Sequence, residues 1–328
     1  MRRRHFIALL SGAGATWPLA ARAQQPSLPM IGFLSSASSD EYTIRLRAFR
    51  QGLKDLGYVE GQNVTIEYRW ADDQYKRLPA LAAELVHRQV NVIAAGGGTP
   101  SVMACKAATT TIPIVFAVSN DPVAIGLVAS LDKPGGNITG VTSLNVELGP
   151  KRLELLRELL PTATTIAVLI NPSSRDLGDF YLQTLQPAAS VLGIELRVLN
   201  ASTKRDFDTV FAELDQHRAS ALLICPDVFF NAHIEQFAAL GRRHAMPVVY
   251  HYHPFVKAGG LLSYSSDEAE YYRLVGIQTA KVLRGEKPAD LPVMQSTKVE
   301  LLINLKTAKA LGITVPLSLL GRADEVIE

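Results

Sequence analysis

The sequence predicts an α/β protein with two similar lobes, each built on a doubly wound parallel sheet and joined by a hinge. The first observation is an internal repeat: residues 113–126 recur loosely as residues 247–259, and matching flanking segments are offset by about 134 to 136 residues. The second is a regular alternation of strand-type and helix-type patterns, which favours parallel strands with helices on both faces. The third is the turn-rich segment 133–140, after which we expect the chain to cross between the lobes.

The first unit begins with a short apolar strand at residues 30–34. Asp40 can cap the helix that follows, and Gly57 ends that helix. The remaining elements are predicted because apolar residues recur alternately at period two and at helical spacing. They are strands at 63–70, 92–95 and 114–118 and helices at 75–89 and from the 96–100 turn to about 109.

The second unit repeats this order after an amphipathic helix at residues 148–160. A long helix at 267–284 could return to the first lobe, and the tail adds a strand at 299–304 and a helix at 305–311. The other predicted elements are strands at 165–170, 194–199, 220–225, 247–250 and 261–264 and helices at 177–192, 204–217 and 229–244.

These patterns predict the domain boundaries. Residues 1–23 form a signal peptide, and residues 28–143 together with about 267–295 form the N-terminal lobe. Residues 144–266 form the C-terminal lobe. The C-terminal segment, 296–328, carries no pattern that assigns it to either lobe.

The N-terminus is typical of an export signal. A positively charged start at residues 2–5 precedes an apolar and small-residue stretch at 6–17, and Ala21, Arg22 and Ala23 form an A-x-A cleavage site. The adjacent arginines also match the twin-arginine form of export signal. We therefore expect a periplasmic protein released by cleavage, possessing no membrane-inserted segment in its mature form.

Composition excludes some classes of function. The chain has 33 Lys and Arg against 31 Asp and Glu, but residues 1–23 hold four Arg and no acid, so the mature balance is 29 against 31, or −2. A chain with this net charge lacks the excess of positive charge that nucleic-acid-binding proteins use to contact phosphates. The cysteines, Cys105 and Cys225, fall in different repeats, and their apolar settings predict buried free thiols rather than a bridge.

Polar residues follow two strands of the first lobe, where a parallel sheet presents its ligand-binding edge. The glycine-rich loop 96–98 leads through Thr99 into a helix, a context that suits either an anion-binding nest or a plain tight turn. Ser119 follows the next strand and could donate a second hydroxyl to an anionic group. Asp121 beside it fits a ligand contact or a helix cap equally well.

The second lobe offers Asn171, Asp227 and Tyr250 at corresponding strand ends. Asp227 could hold a ligand ammonium or cap the following helix, and Tyr250 offers an aromatic face. His251 and His253 lack an acid or a cysteine at metal-ligand spacing, so we expect no metal and no cofactor. The absence of a nucleophile-with-base or phosphate-loop motif favours a protein without catalytic residues.

Residues 119–142 resemble the signature of one family of ABC-transporter substrate-binding proteins, which includes the tryptophan- and tyrosine-uptake binding proteins. Residues 49–64, 304–312 and 322–327 are similar to further blocks of that family. The resemblance implies a fold like that of type I periplasmic binding proteins, capture of a solute by hinge closure, and delivery to a membrane permease with an ATPase. It implies a non-catalytic, monomeric receptor.

The resemblance also implies that eight residues line the ligand pocket: Ser35, Ser36, Gly98, Thr99, Ser119, Asn171, Asp227 and Tyr250. The expected ligand is a small carboxylated molecule, an amino acid or an aromatic acid. Thr99 and Ser119 would bind its carboxylate, Asp227 its amine and Tyr250 its apolar part. Two alternatives stay open: a secreted ligand-sensing receptor for a signalling partner, and a two-lobed nucleotide- or sugar-processing enzyme.

Overall fold

The computed structural model describes residues 28–328, so the predicted signal peptide lies outside the described residues. The strands are β1 (Met30–Ser35), β2 (Thr65–Trp70), β3 (Val92–Ala95), β4 (Ile114–Val118), β5 (Ile138–Thr142), β6 (Thr165–Ile170), β7 (Glu195–Asn200), β8 (Ala221–Ile224), β9 (Val248–Tyr250), β10 (Leu262–Ser266), β11 (Met294–Gln295), β12 (Val299–Asn304) and β13 (Glu325–Ile327). The helices are α1 (Thr43–Asp55), α2 (Leu78–His87), α3 (Thr99–Ala108), α4 (Gly149–Leu159), α5 (Arg175–Leu192), α6 (Asp206–His217), α7 (Val228–Asn231), α8 (Ile234–Arg243), α9 (His253–Lys257), α10 (Glu268–Leu283), α11 (Leu305–Ala310) and α12 (Leu317–Leu320).

The strands form two sheets, and the predicted fold class is confirmed. The first sheet has the order β11-β5-β4-β3-β1-β2, with parallel pairing throughout. The second has the order β13-β12-β10-β9-β8-β6-β7, and β12 runs antiparallel to β10. In each sheet, the chain adds strands on both sides of the first strand, which is β1 in one sheet and β6 in the other. This is the doubly wound arrangement.

Alternation along the central strands explains why helices cover both faces of each sheet. On β4, Val115 and Ala117 enter one apolar cluster, whereas Ile114, Phe116 and Val118 enter the cluster on the opposite face. Successive side chains of a strand point to opposite faces, so a strand that is apolar at every position must be buried on both sides. The second sheet likewise separates two apolar clusters.

The chain crosses between the sheets after β5, after β10 and after β11. The crossing segments are bonded to one another. Ser266 Oγ donates to the Ser143 carbonyl at 2.6 Å, and Ser266 N donates to Asn145 Oδ1 at 3.1 Å. Asp267 N donates to the Lys298 carbonyl at 3.0 Å. These bonds join the crossings into a single connection between the lobes.

Helix α10 leaves the second sheet and packs against α1 and the first sheet. Gly52 on α1 and Gly276 on α10 lie at the crossing of the two helices. A Cβ added at Gly52 would lie 2.0 Å from the Arg273 carbonyl oxygen, and one added at Gly276 would lie 2.1 Å from the Phe49 carbonyl oxygen. The two helix backbones are therefore in direct contact.

Several parts of the predicted secondary structure were wrong. Asp40 does not cap α1, because a short 3-10 turn at Asp40–Tyr42 precedes that helix. The turn-rich reading of residues 133–140 missed β5, whose sequence has few apolar residues yet is buried between β4 and β11. Gly140 is required there, because a Cβ would lie 2.3 Å from the Phe116 carbonyl oxygen. The predicted helix 229–244 is divided into α7 and α8. The short elements β11, β13, α9 and α12 were not predicted.

Cys105 and Cys225 are free and buried, which confirms the prediction for both thiols. Across residues 28–328, helices long and apolar enough to cross a membrane are absent.

Candidate functional site

Loops at the carboxyl ends of strands from both sheets meet at one cavity, the main cavity. This is the edge at which open α/β sheets bind ligands. The first lobe contributes the wall residues Arg45, Gly98, Ala117, Ser119, Glu268, Tyr271 and Tyr272. The crossing segments contribute Ser143, Asn145, Ser265 and Ser266. The second lobe contributes Val228, Asn231, His251, Tyr252, His253 and Pro254.

A smaller cavity, the side cavity, adjoins the main one. The two share Gly98, Ser119, Val228, Asn231 and His251 as wall residues. The side cavity adds residues of both lobes: Tyr75, Thr99, Pro100, Leu177, Pro226 and Asp227. Of the eight residues predicted from sequence, Gly98, Thr99, Ser119 and Asp227 thus lie on the walls of these two cavities.

Ser35 and Ser36 lie behind the glycine loop instead. Both are fully buried, and Ser36 Oγ donates to the Gly97 carbonyl at 2.6 Å. Gly97 and Gly98 have φ values of 75° and 81°, in the left-handed region that favours glycine. A Cβ on Gly97 would also lie 2.4 Å from Ser36 N. The two serines therefore support the loop that carries Gly98 into the cavity.

Asp227 caps α7, so one of the two readings left open by the sequence is present in the structure. Its Oδ1 accepts hydrogen bonds from Phe229 N at 2.9 Å, Asn171 Nδ2 at 3.1 Å and Tyr75 hydroxyl at 3.1 Å. Burial raises the pKa of the Asp227 carboxyl, and these hydrogen bonds oppose that rise. The bond from Tyr75 joins the first lobe to the second.

Tyr250 and Asn171 lie behind the cavity walls, where they position Asp227. Tyr250 is fully buried, and its hydroxyl lies 2.9 Å from the Asp227 carbonyl oxygen and 2.7 Å from Asn231 Oδ1. The aromatic faces on the main cavity belong to other tyrosines, Tyr252, Tyr271 and Tyr272.

Sequence reasoning missed a buried ion pair at the main cavity. Arg45 Nε donates to Glu268 Oε1 at 2.9 Å, and Arg45 Nη2 lies 2.8 Å from the same oxygen. The Arg45 side chain is only 3% exposed. Its guanidinium carbon lies 4.7, 5.2 and 5.8 Å from the ring centres of three tyrosines: Tyr42, Tyr252 and Tyr272. No local pattern joins two residues so far apart in sequence.

His251 and His253 also line the main cavity. Burial lowers the pKa of His251 well below its usual value, and the neighbouring cations Arg152 and Arg45 lower it further. Burial also lowers the pKa of His253, although Glu300 opposes the change. Both imidazoles are therefore neutral at neutral pH. Between residues 28 and 328, groups of three or more His, Cys, Asp and Glu that could hold a metal are absent.

Several polar atoms on the cavity walls are buried without a hydrogen-bond partner among residues 28–328. They include His251 Nδ1, His253 Nε2 and Ser143 Oγ. An unpaired buried polar group is costly, and a bound polar molecule can satisfy it. Together with Arg45 and Glu268, these atoms give the cavity hydrogen-bonding groups from both lobes and from the crossings.

A sequence model of the family described as ABC transporter substrate binding protein matches residues 31–327. A tyrosine-binding protein of Clostridioides difficile (strain R20291) is 28% identical over 266 residues, covering 81% of this chain and 75% of the relative.

Two solved structures are similar across most of the chain. One, a Streptococcus pneumoniae ABC domain in complex with L-Trp, has a TM-score of 0.83 at 25% identity and covers 92% of this chain and 100% of that one. A conserved domain protein of Vibrio cholerae has a TM-score of 0.81 at 28% identity and covers 91% and 99%. The chain with this two-lobed cleft thus belongs to the family of ABC transporter substrate-binding proteins.

Proposed function

We propose that this protein is the periplasmic solute-binding component of an ABC importer and captures a small carboxylated ligand, an amino acid or an aromatic acid. The observation that carries the proposal is the main cavity, whose walls come from both lobes and from the segments that join them. A ligand in that position contacts both lobes only when the cleft is closed. It therefore favours the closed state by the difference in its contacts between the two states.

The ligand class is supported by the chemistry of the walls and by the relatives. Thr99 and Ser119 offer hydroxyls beside the glycine loop, and tyrosine rings offer apolar surface. One relative is named for tyrosine, and one similar structure holds L-Trp. Asp227 was predicted to bind the ligand amine, but its Oδ1 already accepts three hydrogen bonds from the protein.

The partners and the location are proposed on other grounds. Membership of the substrate-binding family supports delivery of the ligand to a membrane permease with its ATPase, without a catalytic step. The export signal predicted at residues 1–23 supports a periplasmic location.

The first test is a thermal-shift screen of residues 24–328 against amino acids, aromatic acids, dicarboxylates, sugars and nucleotides. A ligand that binds only the folded state adds about 2.7 kcal/mol of stability at a hundredfold excess over its dissociation constant. We expect a rise in melting temperature with an amino acid or an aromatic acid, and the compound should be recovered unchanged. A rise with nucleotides alone, or turnover of the added compound, would contradict the proposal.

Closure of the cleft predicts a role for Tyr75. Tyr75→Phe removes the cross-lobe hydrogen bond to Asp227, so the closed state loses a bond to a buried carboxyl. We expect the dissociation constant of the compound selected in the screen to rise about tenfold, mainly through faster dissociation. The measurement is stopped-flow binding kinetics.

Tyr68→Phe is a matched control for this prediction. The Tyr68 hydroxyl donates to Glu60 Oε1 at 3.1 Å, the same length as the Tyr75 bond, but within the first lobe. Its removal should leave the dissociation rate unchanged. Equal effects of the two variants would show that the Tyr75 bond does not act through closure.

A further inference from the structure

We infer that Arg45 and Glu268 recognise the head group of a zwitterionic α-amino acid, Arg45 binding the carboxylate and Glu268 the ammonium. This inference rests on the proposed function and narrows its ligand class, because it excludes acids that lack an amine. According to this inference, these two side chains make the site selective for amino acids over acids that lack an amine.

The geometry leaves one group of each side chain available to a ligand. Both contacts within the pair involve Glu268 Oε1, which Arg45 approaches through Nε and Nη2. Among the described residues, Arg45 Nη1 has no acceptor and Glu268 Oε2 has no donor. A guanidinium offers five N–H donors in a planar fork, so it can bind a second carboxylate beside the first.

The surroundings make these charges strong recognition groups. The rings of Tyr42 and Tyr272 from the first lobe and of Tyr252 from the second enclose the Arg45 guanidinium. Enclosure excludes water, and the interaction between a ligand charge and a protein charge is stronger where water is excluded. Tyr252 reaches Arg45 across the cleft, so this environment is complete only when the lobes are closed.

The balance of charge selects a zwitterion over an acid. Among the described residues, the wall side chains that are ionised at neutral pH are Arg45, Glu268 and Asp227, because His251 and His253 stay neutral. The buried Arg152 lies close enough to lower the pKa of His251, so two arginines are matched by two carboxylates and the site carries no surplus positive charge. A lone carboxylate would add an unbalanced negative charge to a closed cleft, whereas a zwitterion adds none.

Unpaired polar atoms give an independent indication of a ligand at this place. Ser143 and His251 are 3% and 7% exposed, and Ser143 Oγ and His251 Nδ1 have no hydrogen-bond partner among the described residues. Both residues line the main cavity together with Arg45 and Glu268. We expect a head group held by the ion pair in this cavity to form hydrogen bonds with these atoms.

The test uses matched triads of probes on residues 24–328: L-tyrosine, 3-(4-hydroxyphenyl)propionate and tyramine, and L-tryptophan, indole-3-propionate and tryptamine. The other proteinogenic amino acids are titrated with their amine-free acids in the same way. For the wild type we expect an amino acid to bind at least about tenfold more tightly than its acid and its amine. Isothermal titration calorimetry measures each affinity.

Glu268→Gln keeps the shape of the side chain but removes the charge for the ammonium. We expect about a tenfold loss of affinity for the amino acid and no loss for the acid. Glu158→Gln is the matched control, since Glu158 is 31% exposed against 28% for Glu268 and also pairs with an arginine, Arg322. It should change neither affinity.

Arg45→Lys keeps the positive charge but removes the planar fork of N–H donors. We expect this variant to weaken binding of the amino acid more than binding of the amine. The matched control is Arg273→Lys, because Arg273 joins α10 to Asp55 of α1 outside the cavities. The wild-type titrations require no variant and decide the inference even if a variant fails to fold.

An acid that binds as tightly as its amino acid would overturn the inference, as would equal losses of both in Glu268→Gln. Binding of acids or sugars alone would also overturn it while leaving the solute-binding function intact. Failure of every class of compound in the thermal-shift screen would instead overturn the proposed function.

Discussion

Replacing Gly52 with alanine is expected to lower the free energy of unfolding by about 3 kcal/mol, at the upper end of the usual cost of overpacking. The added Cβ would lie 2.0 Å from the Arg273 carbonyl oxygen and 2.9 Å from Ile277 N. Both atoms belong to the backbone of α10, which cannot rotate away as a side chain can. The helices must therefore separate, and the tyrosines of α10 would lose their packing in the first lobe.

The measurement is urea unfolding monitored by circular dichroism. Gly178→Ala is the control, since Gly178 also lies within a helix but its Cβ would meet only Ile170 side-chain atoms at 3.2 Å or more. In a helix interior, alanine stabilises the fold by about 1 kcal/mol relative to glycine. This gain offsets part of any cost of the new contacts with Ile170. If the two variants were equally stable, the proposed backbone contact between α1 and α10 would be wrong.

Lowering the pH from 7 to 5 is expected to weaken ligand binding by up to about 25-fold through His251 alone. Burial in the cleft lowers the pKa of His251 well below its usual value, and Arg152, Arg45 and His253 act in the same direction. Opening the cleft exposes this side chain to water and restores a pKa near 6.5. Below about pH 6.5 the open state therefore binds more protons, so the closed state loses stability as the pH falls.

Other groups near the cleft change the size of this effect. The pKa of His253 is also lowered by burial, despite the nearby carboxylates of Glu300, Glu268 and Asp267, and it adds to the loss. The pKa of Asp227 is raised, so protonation of this carboxyl stabilises the closed state in acid and opposes the loss. The contribution of His251 is isolated by comparing pH profiles rather than single affinities.

Isothermal titration calorimetry at pH 5, 6, 7 and 8 measures these profiles with the compound selected in the screen. The acid limb of the profile is the fall in affinity between pH 7 and pH 5. His251→Gln should flatten this limb, whereas His87→Gln, at an exposed position, should leave it unchanged. An unchanged wild-type affinity between pH 7 and pH 5 would contradict the prediction. So would an acid limb that persists in His251→Gln.

The elements that sequence alone predicted well are those whose burial is visible in a local pattern. The strand at 165–170 and the tail strand at 299–304 were predicted with the bounds seen in β6 and β12, because each is a short apolar run between polar turns. β5 was missed since its burial is imposed by its neighbours β4 and β11. A sequence pattern reports only what a segment itself contributes to the core.

For the candidate site, the sequence by itself determined the edge of the sheets at which it lies. The glycine loop at Gly98 and the serine at Ser119 follow strands whose parallel direction is indicated by the alternation of strands and helices, and both lie on the cavity walls. The neighbouring residues Ser35 and Ser36 instead support that loop from behind. Position along a strand fixes which edge a side chain reaches, but not whether it faces a cavity.

Only the tertiary structure decided which side chains meet across that edge. Arg45 and Glu268 form a pair because α10 returns from the second sheet and packs on α1, and Tyr75 reaches Asp227 because residues of the two lobes meet there. The residues of each pair lie more than a hundred positions apart in sequence. Local periodicity follows from how one helix or strand is buried, whereas the charge and hydrogen bonding of the cleft arise from contacts between distant elements.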